Sequence, residues 1–151
     1  MFRRLIATSS TFATVPIRLG LAVIFVAHGA QKVLASFGGP GFRAFTSGTT
    51  PFNFMRPPWL WLAAAAVSEL VGGILVGLGL LTRVGAFLLA CVMLTAIVGI
   101  HWPNFFSNNH GFEYPLALFA MSLALLVSGG GMASVDLALS SGRKRIGSGK
   151  R

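Results

Sequence analysis

Four long apolar blocks, separated by breaks rich in glycine, proline or polar residues, set the organisation of this 151-residue chain. The blocks predict helices over about 16–34, 59–81, 84–102 and 113–128, each near the ~20 residues that cross a bilayer. Pro16 and Pro115 fall in opening turns, where proline's missing N–H leaves no bond unmade. Gly129-Gly130-Gly131 stops the last block, and Thr82-Arg83 forms a very short turn between the second and third. The long first loop, 36–58, carries Phe42, Phe45, Phe52 and Phe54 and is too aromatic for an ordinary solvated connection. It reads as a cap dipping into the interface, with a short helix near Phe42–Thr46.

Inside these blocks the polar residues are few and placed with a pattern. The first block, which includes Arg18-Leu-Gly-Leu-Ala-Val-Ile-Phe-Val-Ala-His28-Gly-Ala-Gln31-Lys32, carries four of them. At 100° per residue Arg18, His28 and Lys32 share an arc of roughly 80°, with Gln31 at its edge. An ionisable group in hydrocarbon costs ~2.5–3.5 kcal/mol on insertion scales and is turned inward as a rule. The second block holds Glu69, about 15 Å from its outer end at the helical rise of ~1.5 Å per residue. A carboxylate at that depth must take a proton or find a cation. His28 is the nearest partner in depth, and Lys32 can reach down to it. Gly73-x-x-x-Gly77 in the same block is a small-residue surface that lets two helices approach closely.

Composition agrees with a bilayer as solvent: 54% hydrophobic and 10% charged residues, against about 25% charged in soluble domains. The formal net charge of +9 is unevenly distributed. Arg3, Arg4, Arg18, Arg83 and the tail cations Arg143, Lys144, Arg145, Lys150 and Arg151 fall on one side of a four-span arrangement. Lys32, Arg43 and Arg56 fall on the other. The positive-inside rule then puts both termini in the cytoplasm, with the tail against anionic lipid. The expected architecture is an all-α membrane protein, a four-transmembrane-helix bundle with both termini cytoplasmic. It divides into an interfacial arm (1–14), a membrane domain (15–137) and a basic tail (138–151). No base-stacking or RNA-binding motif accompanies the positive charge, which argues against nucleic acid. The apolar run ending at Ala27-His28-Gly29-Ala30 has a histidine at the would-be cleavage site, which disfavours a cleaved leader.

The single cysteine, Cys91, rules out an intrachain disulfide and any CxxC pair. His28, His101 and His110 lack metal-ligand spacing, so no metal site is expected, and bis-histidine haem is disfavoured. No Walker loop, nucleophile elbow or dinucleotide fingerprint is present. His28, Gln31, Lys32, Glu69, His101 and Glu113 all map to the outer half of the bundle, where they can share a polar pocket. Helix packing by ion pair, an interfacial histidine and a helix-dipole carboxylate are the plain alternatives for these residues.

Several segments in order resemble the DoxX family of small bacterial integral membrane proteins. They are Arg18-Leu19-Gly20, His28-Gly29-x-Gln31-Lys32, Phe37-Gly38-Gly39, Glu69-x-x-Gly72-Gly73, Gly79-Leu80-Leu81-Thr82-Arg83, Gly111-Phe112-Glu113-Tyr114-Pro115 and Gly129-Gly130-Gly131 with Ser134-Val135-Asp136. The likeness extends over about residues 15–137. It implies a four-helix bundle in the bacterial cytoplasmic (inner) membrane. It also implies a link to membrane redox chemistry, through thiosulfate:quinone oxidoreduction or through complexes with soluble redox enzymes. It supplies no settled catalytic set.

The residues and the resemblance together lead to one expectation. This is a membrane oxidoreductase subunit that holds a quinone-like or other small amphipathic ligand in the outer-half pocket. His28 and Glu69 would exchange protons, Gln31 and Lys32 would bind a carbonyl or anionic oxygen, and His101 and Glu113 would complete the ligand shell. The chain itself carries no cofactor in this reading. Its partners are the lipid bilayer, a soluble redox enzyme and further copies of itself. A non-enzymatic membrane adaptor and a small-solute or proton carrier are the alternatives.

Overall fold

The structure, a computed structural model, describes residue 8 and residues 11–148. Arg3, Arg4, Lys150 and Arg151, which enter the topology argument, lie outside the described residues. All regular structure among the described residues is helical: α1 (Thr14–Leu34), α2 (Gly41–Thr46), α3 (Pro58–Leu78), α4 (Thr82–Ala96), α5 (Glu113–Ser128) and α6 (Val135–Ser148). A π-helical stretch, Ile97–His101, extends α4. With that extension, α1, α3 and α4 span 21, 21 and 20 residues and are long and apolar enough to cross a membrane. The apolar α5 has 16 residues.

α1, α3, α4 and α5 pack around a core of Leu21, Phe25, Val76, Leu89, Leu118 and Leu125, all nearly inaccessible. Apolar side chains also cover the outside. Leu60, Val67, Val71, Ile74 and Leu78 form an exposed stripe on α3, and Phe87, Leu94 and Val98 form one on α4. Spacings of three, four and seven residues put each set on one helix face. A soluble bundle would make those faces polar.

Close approach of α1 to α3 depends on glycine. A Cβ on Gly29 would lie 2.5 Å from the backbone nitrogen of Leu70, and one on Gly73 would lie 3.0 Å from that of Val26. Gly77 faces the methyl of Ala22 in the same seam. Absent side chains let the two backbones touch, so dispersion replaces the hydrophobic driving force that lipid does not supply.

The inner end is held by charges bonded to backbone. Gly79, in the left-handed conformation, ends α3, with Leu80 donating back to the Leu75 carbonyl at 3.0 Å. Arg18, 3% exposed, inserts there from α1. Its guanidinium donates to the carbonyls of Val76 (2.9 Å) and Gly77 (2.8 Å) on α3. It also donates to those of Gly130 (3.0 Å), Ala133 (3.2 Å) and Met132 (3.3 Å) in the α5–α6 turn. Asp136 accepts from the N–H groups of Leu81 (2.8 Å) and Thr82 (2.9 Å) and from the Thr82 hydroxyl (2.7 Å). Arg83 donates to the carbonyls of Leu126 and Val127, at the end of α5, at 2.7 and 2.8 Å.

Arg18 is held there by backbone carbonyls and by the nearby negative charge of Asp136. Helix ends carry unsatisfied carbonyls and partial negative charge at one terminus and free N–H groups at the other. Two arginines meet the first kind and one aspartate the second.

Candidate functional site

The outer half is built differently. One turn separates His28 from Lys32 on α1, and the glycine seam brings that face against α3. Lys32 Nζ lies 2.6 Å from both carboxylate oxygens of Glu69. The side chains are 24% and 5% exposed, so the carboxylate is buried and the ammonium only partly so. Lys32 supplies the cation because its long stem reaches across the seam, whereas His28 stays out of the pair. The Phe45 ring of α2 lies 5.2 Å from Nζ, within cation–π range. A buried polar pair is thus closed off by an aromatic residue from the first loop.

Glu69 and Lys32 form part of the wall of a cavity of about 840 Å³ with mostly apolar walls. Volumes of 300–1,000 Å³ are usual for small-ligand pockets. The polar groups in its lining include His28, Ser68, His101 and Tyr114. Thr50, Pro51 and Met55 of the first loop roof it, and the Thr50 hydroxyl ties that loop to the Met55 carbonyl at 3.2 Å. Pro51 packs on Gly99, where a Cβ would come within 2.7 Å of it.

Of the residues singled out from the sequence, His28, Lys32, Glu69 and His101 meet at this cavity, and Gln31 and Glu113 are not in its lining. The Gln31 backbone instead packs against Gly39, whose Cβ position lies 2.5 Å from the Gln31 carbonyl oxygen. Glu113 turns to the third loop and accepts from the Ser107 N–H at 2.6 Å. His101 Nδ1 is 2.7 Å from the His110 carbonyl. A carbonyl can only accept, so Nδ1 carries the hydrogen, and Nε2 is the ring nitrogen left for another contact.

Sequence reasoning missed three contributors. Gly29 permits the approach that lets Lys32 meet Glu69, and its signal was a glycine on the polar edge of α1. The π-helical Ile97–His101 contributes Gly99, Ile100 and His101 to the cavity, and its wider turn has no compositional signature. Cys91 is exposed and also lines the cavity, although its place in an apolar block is that of a small buried hydrophobe.

Apolar helices of spanning length with exposed apolar stripes define a helical membrane protein. Its family is equally plain: the DoxX family model matches residues 13–102, and the chain belongs to that family. It is 31% identical over 117 residues, 78% of this chain and 81% of the relative, to a protein of Bacillus subtilis (strain 168) titled "Putative oxidoreductase CatD". No solved structure matches the chain.

Proposed function

We propose that the protein is a membrane oxidoreductase subunit of the bacterial cytoplasmic membrane that holds a quinone-like amphipath in the outer-half cavity. Membership of the DoxX family and the printed title of the Bacillus relative support the redox class. The observation that carries the reading is the Lys32–Glu69 pair in the wall of an otherwise apolar cavity. An apolar site with a few converging polar groups suits a ring bearing oxygen.

In this mechanism Lys32 donates to a ligand oxygen, and Glu69 and His28 pass protons to the oxygens as they gain charge. Quinone reduction takes two electrons and two protons and yields a quinol. The electrons come from a soluble redox enzyme that must reach the outer-half site, since the chain itself supplies no carrier across the bundle. His101 accepts at Nε2 from the hydroxyl formed at the far oxygen. Gln31 and Glu113, drawn away from the cavity by their own contacts, are left to shape the loops.

The same reading takes α5 as a fourth crossing. Its 16 residues give about 24 Å of helix, which the polar outer loop and the Arg83-capped inner end bound. Both termini then lie in the cytoplasm, with α6 and the basic tail on that face. The test is quinone binding and reduction by purified protein with its electron-donating partner. Glu69→Gln and His28→Ala should each lower turnover at least tenfold. Unchanged turnover and affinity in both would remove the mechanism.

A second reading, a membrane adaptor, is favoured by the mutual satisfaction of Lys32 and Glu69, which as a pair need no ligand. Deleting residues 143–151 separates the two. Loss of partner recovery with ligand binding intact favours the adaptor.

A further inference from the structure

The walls of the cavity include two positions that also face outward. On α3 the exposed stripe Leu60, Val67, Val71 and Ile74 has a gap one turn after Leu60, and Ala64 fills it. On α4 the stripe Phe87, Leu94 and Val98 has a gap that Cys91 fills. Ala64 and Cys91 both line the cavity. The boundary between cavity and lipid is therefore one side chain thick, and those side chains are small.

The antiparallel register shows where this boundary lies. At Gly72 a Cβ would meet Leu89 Cδ2 at 2.9 Å, and at Gly85 one would meet the Leu75 Cβ at 3.1 Å. The α3–α4 seam is shut at this level. Continued outward, the register sets Ser68 beside Cys91 and Val92, and Ala64 and Ala65 beside Thr95 and Ala96. These positions line the cavity. The seam passes from close packing at Gly72–Leu89 to a slot edged by alanine, serine and cysteine, about one and a half turns long. Lys32 and Glu69 lie at the polar end of the same cavity.

We propose that the cavity opens sideways into the hydrocarbon between α3 and α4. It takes an amphipath whose oxygen-bearing head lies at Lys32 and whose hydrocarbon tail leaves through the gap between Ala64 and Cys91. Charge and polarity are complementary to such a ligand: the Lys32 ammonium selects an oxygen acceptor, and the apolar slot accepts a chain. Two sources share this chemistry, a tailed quinone and a fatty acid. The inference rests on α3 and α4 being membrane spans and deepens the proposed function by naming the ligand class and its route.

Cys91 is the only cysteine in the chain, so its alkylation reports the slot directly. The full chain in phosphatidylcholine nanodiscs is treated with N-ethylmaleimide alone, or with decylubiquinone, duroquinone (a fully methylated quinone without a tail) or laurate. The expected result is at least tenfold slower labelling with a tailed compound and less than twofold slowing with duroquinone. Ala64→Leu, which fills the slot from an exposed position, should abolish the protection. Val67→Leu, on the same stripe but outside the cavity lining, should leave it intact. Protection by decylubiquinone supports both the slot and the quinone reading. Protection by laurate alone supports the slot and overturns the quinone reading. Equal protection by duroquinone and decylubiquinone, or none by either tailed compound, overturns the slot.

Discussion

At the residue scale the chain places its rare charges in two ways. Arg18 and Asp136 are buried and spend their bonds on backbone groups and, for Asp136, also on the Thr82 hydroxyl, which makes them structural. Replacing Arg18 by Met strands carbonyls at two helix ends and removes charged hydrogen bonds worth ~1.5–3 kcal/mol each. A fall in thermal midpoint of well over 10 °C in detergent is the expected outcome, and Arg18→Lys should rescue little of it. An ammonium is a compact point charge and cannot span five carbonyls as the planar guanidinium does. Lys32 and Glu69 differ because they satisfy one another beside a cavity. Removing one partner of a buried pair costs ~3–5 kcal/mol, with Lys32→Met at or below the lower end because the ammonium is partly exposed. The double variant Lys32→Met/Glu69→Leu should recover most of that stability in the same melt while abolishing ligand binding. Recovery of both would leave the pair no part in binding.

Elements are positioned by what their surfaces lack. α1 and α3 lie close because Gly29, Gly73 and Gly77 carry no Cβ at the points of contact. Gly29→Val forces two γ-methyls toward Leu70 and should part the outer ends of both helices. Lys32 then loses Glu69, so ligand affinity should fall at least tenfold with helical content unchanged by circular dichroism. The roof of the cavity has a similar support, with Pro51 seated on Gly99 in the π-helical turn. Gly99→Val should lift that loop, which hydrogen exchange at residues 48–56 would detect as faster exchange. π-Helical turns of this kind recur at functional sites, and here the turn sets His101 in the cavity wall.

For the whole molecule the remaining question is topology. If both termini lie in the cytoplasm as proposed, an alkaline phosphatase fusion at the C-terminus is inactive and a green fluorescent protein fusion bright. The reverse pattern would invert the bundle and move the cavity to the inner leaflet.

Hydrophobic blocks alone were enough to read an all-helical membrane protein, because hydrocarbon forces every span to bond its own backbone. The DoxX family was legible too, in ordered short motifs such as His28-Gly29-x-Gln31-Lys32 and Glu69-x-x-Gly72-Gly73. Helical periodicity drew His28, Lys32 and Glu69 toward one region, since ionisable groups cannot face lipid cheaply. Partner choice was out of reach. Whether Glu69 meets His28 or Lys32 depends on an ångström-scale approach of two backbones, which no pattern along one strand of sequence encodes. The capping roles of Arg18 and Asp136 were hidden for the same reason: their partners are mostly backbone atoms, identical in every residue, and only the packed helix ends reveal which are free. The sideways slot at Ala64 and Cys91 was likewise decided in three dimensions, where two small side chains on different helices came to share one wall.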